Sequence, residues 1–379
     1  MKHWQETRAV LDRLAQLHRA GRRAALATVV RVRGSAYRHE GAKLLVAEDG
    51  STVGNVSGGC LEQDVREVAL QVLGSGTPEL KSYCSSSDEI AAWDLGVGCD
   101  GQVDVLVEPV VADRPRERAL LDGREPFVVC TLIDGKRETL KDSLTVAGNG
   151  KRMIVTRGEV QGDLGFAELN GAAAARAREL LGTEDSRVVE IAGRAVFCDV
   201  FLPPPELVIC GDGDDARPLA RFAADIGFRV VVVDRRPAYL TAERFPTATA
   251  LVESRPEELL QRLSPDAACY AACYAVVMTH NFADDQGYLR ALVGTPVPYI
   301  GMLGPRQRTE RMLQVLGTGG RALGERDAAR IYGPVGLDVG TDGAEQVALS
   351  VIAEILAVRS GRRADSLRER QTPIHAATE

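Results

Sequence analysis

Nowhere does the chain carry a run approaching the roughly 18 apolar residues that a membrane-spanning helix requires, so membrane insertion is not expected. Positive charge is outweighed: 46 Lys and Arg stand against 53 Asp and Glu, for a net charge of −7. Nucleic acid and anionic membrane surfaces are held largely by basic side chains, so this balance argues against both as main partners. Paired metal-binding cysteines are also missing. The eight cysteines lie at 60, 84, 99, 130, 198, 210, 269 and 273, with no Cys-x-x-Cys pair and no histidine at zinc-ligand spacing beside Cys269 and Cys273. A structural zinc is therefore not expected, and neither are iron–sulfur centres, which need clustered cysteines. No Ser/His/Asp signature, HExxH helix or Walker loop rises out of the sequence. The N-terminal MKHWQETRAVLDRLAQL reads as an amphipathic helix and lacks the apolar core of a signal peptide. That reading places the chain in the cytoplasm, where scattered cysteines remain free thiols and most are inert core residues.

What is present is an ordinary globular composition, 45% hydrophobic and 26% charged, in a 379-residue chain long enough for two or three domains. AALATVVRV, KLLVA and QVDVLVEPV have the pattern of strands. Between the last two, residues 61–73 set Leu61, Val65, Val68 and Val72 at helical spacing. A weaker echo of strand, glycine turn, helix and strand follows within 113–203 and reads as a degenerate internal repeat. It lacks the thiol: Leu169-Asn170-Gly171 stand where the first copy has Ser57-Gly58-Gly59-Cys60. Prolines 203–205 mark a boundary, beyond which short β-branched runs such as FRVVVVD alternate with amphipathic helices. The expected fold class is α/β. An N-terminal mixed α/β domain spans 1–203, a Rossmann-like doubly wound parallel sheet spans 204–360, and a disordered tail covers 361–379.

Two glycine-framed cysteines are candidates for chemistry. Ser57-Gly58-Gly59-Cys60 opens onto the helix at 61–73, which places Cys60 in the first helical turn. A helix start offers unpaired N–H groups and partial positive charge, conditions that bind anions and make a buried cysteine a candidate thiolate. Gly58 and Gly59 let the backbone come close to a ligand. The second turn, WDLGVGCDG, places Cys99 between Gly98 and Gly101. A small buried hydrophobe in a common pre-helical turn explains either cysteine taken singly.

The second domain carries Gly211-x-Gly213-x-x-Ala216 after a strand and before a helix, with Asp234 ending the next strand. This is the dinucleotide-binding fingerprint in its proper context. Gly211 suits the tight turn, Gly213 the approach of a phosphate, and Asp234 a pair of ribose hydroxyls. Asp212, Asp214 and Asp215 crowd carboxylates where a pyrophosphate would sit, while Arg235 and Arg236 offset them or hold a phosphate. NAD or NADP binding is one expectation; a retained fold without nucleotide is the other. The loops holding His280 and Arg306 follow later strands and face the same crevice. His280 serves there either as an acid–base group or as a loop hydrogen-bonding residue. Arg306 is an anion anchor, and Arg308 and Arg311 read as a solvated helix face.

Taken together, GSAYRHEGAKLLVAEDGSTVGNVSGGCLEQDV, LGVGCDGQVDVLVEP, LVICGDGDDARPLARFAADIGFRVVVVDRRP, VVMTHNFADDQGYLRALV, YIGMLGPRQR and GPVGLDVG resemble the XdhC/CoxI family. These are chaperones of the molybdenum cofactor (molybdopterin) of xanthine and carbon monoxide dehydrogenases. The resemblance implies a homodimeric accessory protein that binds and protects that cofactor and delivers it to a molybdenum hydroxylase. It also implies a cysteine desulfurase partner that supplies sulfur to the molybdenum. Cofactor contacts would fall on Ser57, Gly58, Gly59 and Cys60, with Gly98 and Cys99 as a second group. Two positions depart from the family pattern: Tyr37 stands where Pro is usual, and Asp214 where His is usual. The competing reading is an NAD(P)-dependent oxidoreductase resting on the Rossmann turn and Asp234. A xanthine-oxidising enzyme in its own right is not expected, because the chain lacks iron–sulfur cysteines and is too short for the cofactor domains that chemistry uses.

Overall fold

The computed structural model describes residues 2–34, 36–84, 102–133, 135–136, 143–146, 151–263, 272–318 and 324–371. They form two compact units that adjoin in sequence at Pro203 and Pro204. Among the described residues no helix is long and apolar enough to cross a membrane.

The N-terminal unit stacks two antiparallel sheets. The first contains β1 (Ala24–Arg33), β2 (Lys43–Ala47), β3 (Thr52–Gly54), β4 (Glu79–Cys84), β5 (Gln102–Val110), β7 (Gly135–Lys136) and β8 (Ser143–Val146), in the order β3-β2-β1-β5-β4-β8-β7. The second orders β10 (Val160–Gly162), β9 (Arg152–Val155), β6 (Phe127–Leu132), β12 (Arg194–Phe201) and β11 (Arg187–Ile191). Side chains alternate across a strand, and here both faces find cover. Ala25, Ala27 and Val29 pack outward against Val65, Val68 and Val72 of α2 (Glu62–Ser75). Ala24 and Leu26 turn inward, toward Leu11 and Leu14 of α1 (Lys2–Arg19), Leu120 and Leu121 of α3 (Pro115–Gly123), and Phe127 and Phe201 of the second sheet. The far face of that sheet carries α4 (Ala167–Leu180) through Ala173 and Ala177. The layers therefore run helix, sheet, sheet, helix, with α1 and α3 filling the space between the sheets.

The C-terminal unit is a six-stranded, wholly parallel sheet. It comprises β13 (Glu206–Cys210), β14 (Arg229–Asp234), β15 (Ala250–Glu253), β16 (Cys273–Val277), β17 (Tyr299–Met302) and β18 (Ile331–Tyr332). Their order, β15-β14-β13-β16-β17-β18, is the dinucleotide-binding order 3-2-1-4-5-6. Leu207 and Ile209 face α5 (Ala216–Asp225) and α8 (Ala344–Ser360), while Val208 and Cys210 face α6 (Phe282–Val293) and α7 (Arg306–Thr318). Helices on both faces make the sheet doubly wound, as the alternating sequence implied. Because all strands run one way, the turns after β13, β14, β16 and β17 emerge at one edge. Gly361 in the left-handed conformation ends α8. Residues 361–371 follow without regular structure apart from a single turn at Leu367–Glu369. Residues 372–379 lie outside the described residues.

Candidate functional site

The turn before α2 is closed from behind by two side chains. Ser57 is buried; its Oγ donates to the Glu62 carboxylate and accepts the N–H groups of Gly59 and Leu61, each at 3.1 Å. Glu62 also accepts the backbone N–H groups of Val56 (3.2 Å) and Ser57 (2.8 Å). Burial alone would raise the Glu62 carboxyl, but the hydrogen bonds from Ser57 and the Val56 and Ser57 amides outweigh it and hold the group below the usual carboxylate range. The Ser57 hydroxyl is thus committed to shaping the turn. Gly58, Gly59 and Cys60 remain on the outside, all exposed, with Gly59 at φ +117°. Among the described residues the amides of Gly58 and Cys60 have no hydrogen-bond partner.

Cys60 differs from expectation in two respects. It precedes the helix instead of occupying its first turn, and it is exposed instead of buried. The reason is Leu61. Its side chain is buried and its N–H is captured by Ser57, so Leu61 is the cap residue whose carbonyl accepts the first helical bond, from Val65 N–H at 2.9 Å, and the helix proper begins at Glu62. Gly98 and Cys99 lie outside the described residues.

The loop before β2 reaches the same turn. A Cβ placed on Gly58 would lie 3.4 Å from Tyr37 Cγ, 3.5 Å from Cδ1 and 3.6 Å from Cδ2, so the tyrosine ring lies over this glycine. Tyr37 is nevertheless 73% exposed. Its loop is anchored on both sides: Glu40 accepts the Val32 N–H at 2.8 Å, Gly41 N–H donates to Val29 O at 2.8 Å, and Arg38 pairs with Glu6. Gly41, at φ +89°, fits closely against Asp199 and His3, where a Cβ would come within 2.7 Å of the Asp199 carboxylate.

Asp199 belongs to a charge seam between the two sheets that was not among the sequence candidates. Lys43 Nζ lies 2.5 Å from Asp199 Oδ2 and donates to Gly41 O at 2.8 Å, and His3 Nε2 lies 3.1 Å from Asp199 Oδ1. Beside them Glu108 accepts from Arg114 (3.1 Å) and Arg152 (2.6 Å), with Glu117 at 3.7 Å from Arg152. Burial opposes ionisation of Asp199, but Lys43 and His3 prevail and hold its carboxyl down at about 2. Burial likewise lowers Lys43 and His3. The only signal in the sequence is that Lys43, Glu108 and Asp199 are charged residues within mainly apolar strands.

At the strand-end edge of the C-terminal unit the glycine turn has its expected shape. Gly211, at φ +130°, leaves no room for a side chain, since a Cβ would meet Met278 O at 2.5 Å. A Cβ placed on Gly213 would lie 3.8 Å from His280 Cδ2, so the histidine ring borders this glycine. Asp234 is buried, and its carboxylate is engaged by the Asp212 N–H at 3.2 Å and by Arg236 Nε at 3.0 Å. Arg236 also bridges to Asp212. Burial, followed by the neighbouring Asp234, pushes the Asp212 carboxyl up to about 6. Asp234 moves the other way: burial would raise it, but hydrogen bonds from Arg236 keep it below the ordinary range.

The other carboxylates of this edge are paired as well. Arg235 meets Asp284 at 2.8 Å, Arg244 meets Asp214 at 3.2 Å, and His280 Nε2 lies 3.3 Å from Asp215. His280 has φ +62°, an uncommon conformation for a residue other than glycine. Arg308 is no solvated helix face, a second correction. It reaches across to the buried Asp285 at 2.7 Å, which also accepts the Thr279 N–H at 3.0 Å. Arg306 is exposed at the start of α7 and has no partner among the described residues. Among the described residues no group of three or more His, Cys, Asp or Glu side chains is arranged to hold a metal ion.

Known proteins resemble the chain in both units. Residues 207–355 match the model of the XdhC Rossmann domain, and residues 17–84 that of the XdhC and CoxI family. A Bacillus subtilis (strain 168) protein, named as a probable xanthine dehydrogenase subunit, is 34% identical over 337 residues, 89% of this chain and 93% of that one. The Escherichia coli (strain K12) molybdenum cofactor insertion chaperone PaoD is 25% identical over 362 residues, 95% of this chain and 91% of that one. A crystal structure of a Bacillus halodurans protein described as a xanthine dehydrogenase superposes with a TM-score of 0.73 at 28% identity, covering 94% of this chain and 98% of that one.

Proposed function

Since the chain belongs to the XdhC and CoxI family, we propose that it is an accessory protein that carries the molybdenum cofactor as cargo. It holds and protects the cofactor and passes it to a molybdenum hydroxylase of the xanthine or carbon monoxide dehydrogenase type. The observation that carries this reading is the exposed Cys60 in a turn braced by Ser57 and Glu62, with no partner among the described residues for the Gly58 and Cys60 amides. A cysteine sulfur suits a thiophilic metal, and free amides at a helix start suit a phosphate. The cargo has both. The similarity to an insertion chaperone supports the same assignment. The proposal extends to a cysteine desulfurase as the source of sulfur for the molybdenum, to a homodimer, and to a cytoplasmic location.

The NAD(P)-dependent alternative finds less support. Asp234, the residue that would accept ribose hydroxyls, is already held by Arg236 and by the Asp212 amide. Equilibrium binding of the molybdenum cofactor to wild type and to Cys60→Ala, with NAD and NADP titrated in parallel, separates the two readings. The expected result is tight cofactor retention by wild type, lost in Cys60→Ala at an unchanged melting temperature. Normal delivery of active cofactor by Cys60→Ala would overturn the proposal.

A further inference from the structure

We propose that Tyr37 is the stacking surface for the planar pyrimidinone part of the pterin of a ligand bound at Cys60. The inference rests on the reading of that turn given above and names the residue that would recognise the organic part of the cargo.

A large exposed ring is ordinary by itself. Tyr37 differs because it is exposed and yet held in place. Three ring atoms, Cγ, Cδ1 and Cδ2, are nearly equidistant from the Gly58 Cβ position, at 3.4–3.6 Å, so one face of the ring covers the glycine. With 73% of the residue accessible, the opposite face is open. Gly58 is itself two residues from Cys60, which puts the ring and the sulfur within the span of one small ligand, given about 3.8 Å between successive Cα atoms. The loop is fixed through Glu40 on Val32, Arg38 on Glu6 and Gly41 against the Lys43–Asp199 pair, so little freedom remains to be lost on binding.

Chemically the two loops divide the work. The sulfur of Cys60 addresses metal, and the amides of Gly58 and Cys60 address anionic oxygen. Neither offers anything to the flat face of an uncharged pyrimidinone. An aromatic side chain does, through face-to-face stacking that tolerates many ring types. Tyr37 supplies that surface.

The test uses two probes on the full-length protein: the molybdenum cofactor released from a molybdenum hydroxylase, and a metal-free oxidised pterin monophosphate whose ring fluoresces. The variants are Tyr37→Phe, Tyr37→Ala and Cys60→Ala, each checked for an unchanged melting temperature. Wild type, Tyr37→Phe and Cys60→Ala are expected to bind and quench the metal-free pterin. Tyr37→Ala should bind it roughly tenfold more weakly, the loss typical of removing one stacking partner. Equal affinity in Tyr37→Ala, or a pterin that wild type does not bind at all, overturns the role of Tyr37. Cofactor retention that then depends on Cys60 alone leaves the Cys60 reading standing. Cofactor binding indifferent to both residues overturns the two together.

Discussion

Ser57 shows how a residue near a ligand site acts without facing the ligand. Its hydroxyl donates once and accepts twice inside the turn, so Ser57→Ala removes the brace behind Cys60. The expected cost is about 1–2 kcal/mol, as for loss of a helix cap, read from the urea midpoint. The helix beyond should remain, because Val65, Val68 and Val72 still pack against β1 and β5. Sequence inspection singled out this turn from its glycines, cysteine and downstream helical spacing. It misjudged where the helix begins, because the familiar capping box joins residues three apart. Here Glu62 reaches back five residues to Ser57, a spacing without a recognisable signature. The approach of Tyr37 to Gly58 was also invisible, since the two are 21 positions apart with two strands between them.

At the scale of elements, the strands were legible and their environment was not. Lys43 in KLLVA, Glu108 in QVDVLVEPV and Asp199 in RAVFCDVF look like the polar positions of half-exposed strands. In the fold each shares its strand face with residues turned toward the other sheet, so the polar row of one sheet meets that of the other. What closes the seam is long-range pairing, Lys43 with Asp199 across 156 positions, which no local pattern encodes. Removing one member of a buried pair leaves its partner uncompensated. Lys43→Met is therefore expected to destabilise the protein by about 3–5 kcal/mol in urea unfolding, and the double variant Lys43→Met, Asp199→Leu to recover most of that loss. Because Gly41 packs on this pair, the single variant should also loosen the loop that bears Tyr37.

For the molecule as a whole, titration links the two units to pH with opposite signs. The folded protein holds the Asp199 carboxyl at about 2, below the ordinary carboxylate value. Its stabilising contribution is complete above about pH 4 and is lost as pH falls toward 2. Asp212 is raised to about 6, so between roughly pH 4 and 6 the folded state keeps a proton that the unfolded chain has released. Stability must fall as pH rises through that window. Asp212→Asn is expected to flatten the melting-temperature profile from pH 4 to 6.5 and to raise it at pH 8; an unaltered slope would exclude Asp212 as its source. The Rossmann order of this unit was readable from Gly211, Gly213, Ala216 and Asp234 because those determinants are local. The Arg236 contacts were not, since Arg236 stands two positions after Asp234 with no hint in the sequence of which way the guanidinium turns. Once turned inward, it behaves as an internal competitor, a tethered donor for the acceptor that a ribose diol would need. A tethered competitor never diffuses away. A dinucleotide that used Asp234 would then show an apparent dissociation constant that scales inversely with the fraction of molecules in which Arg236 has swung out.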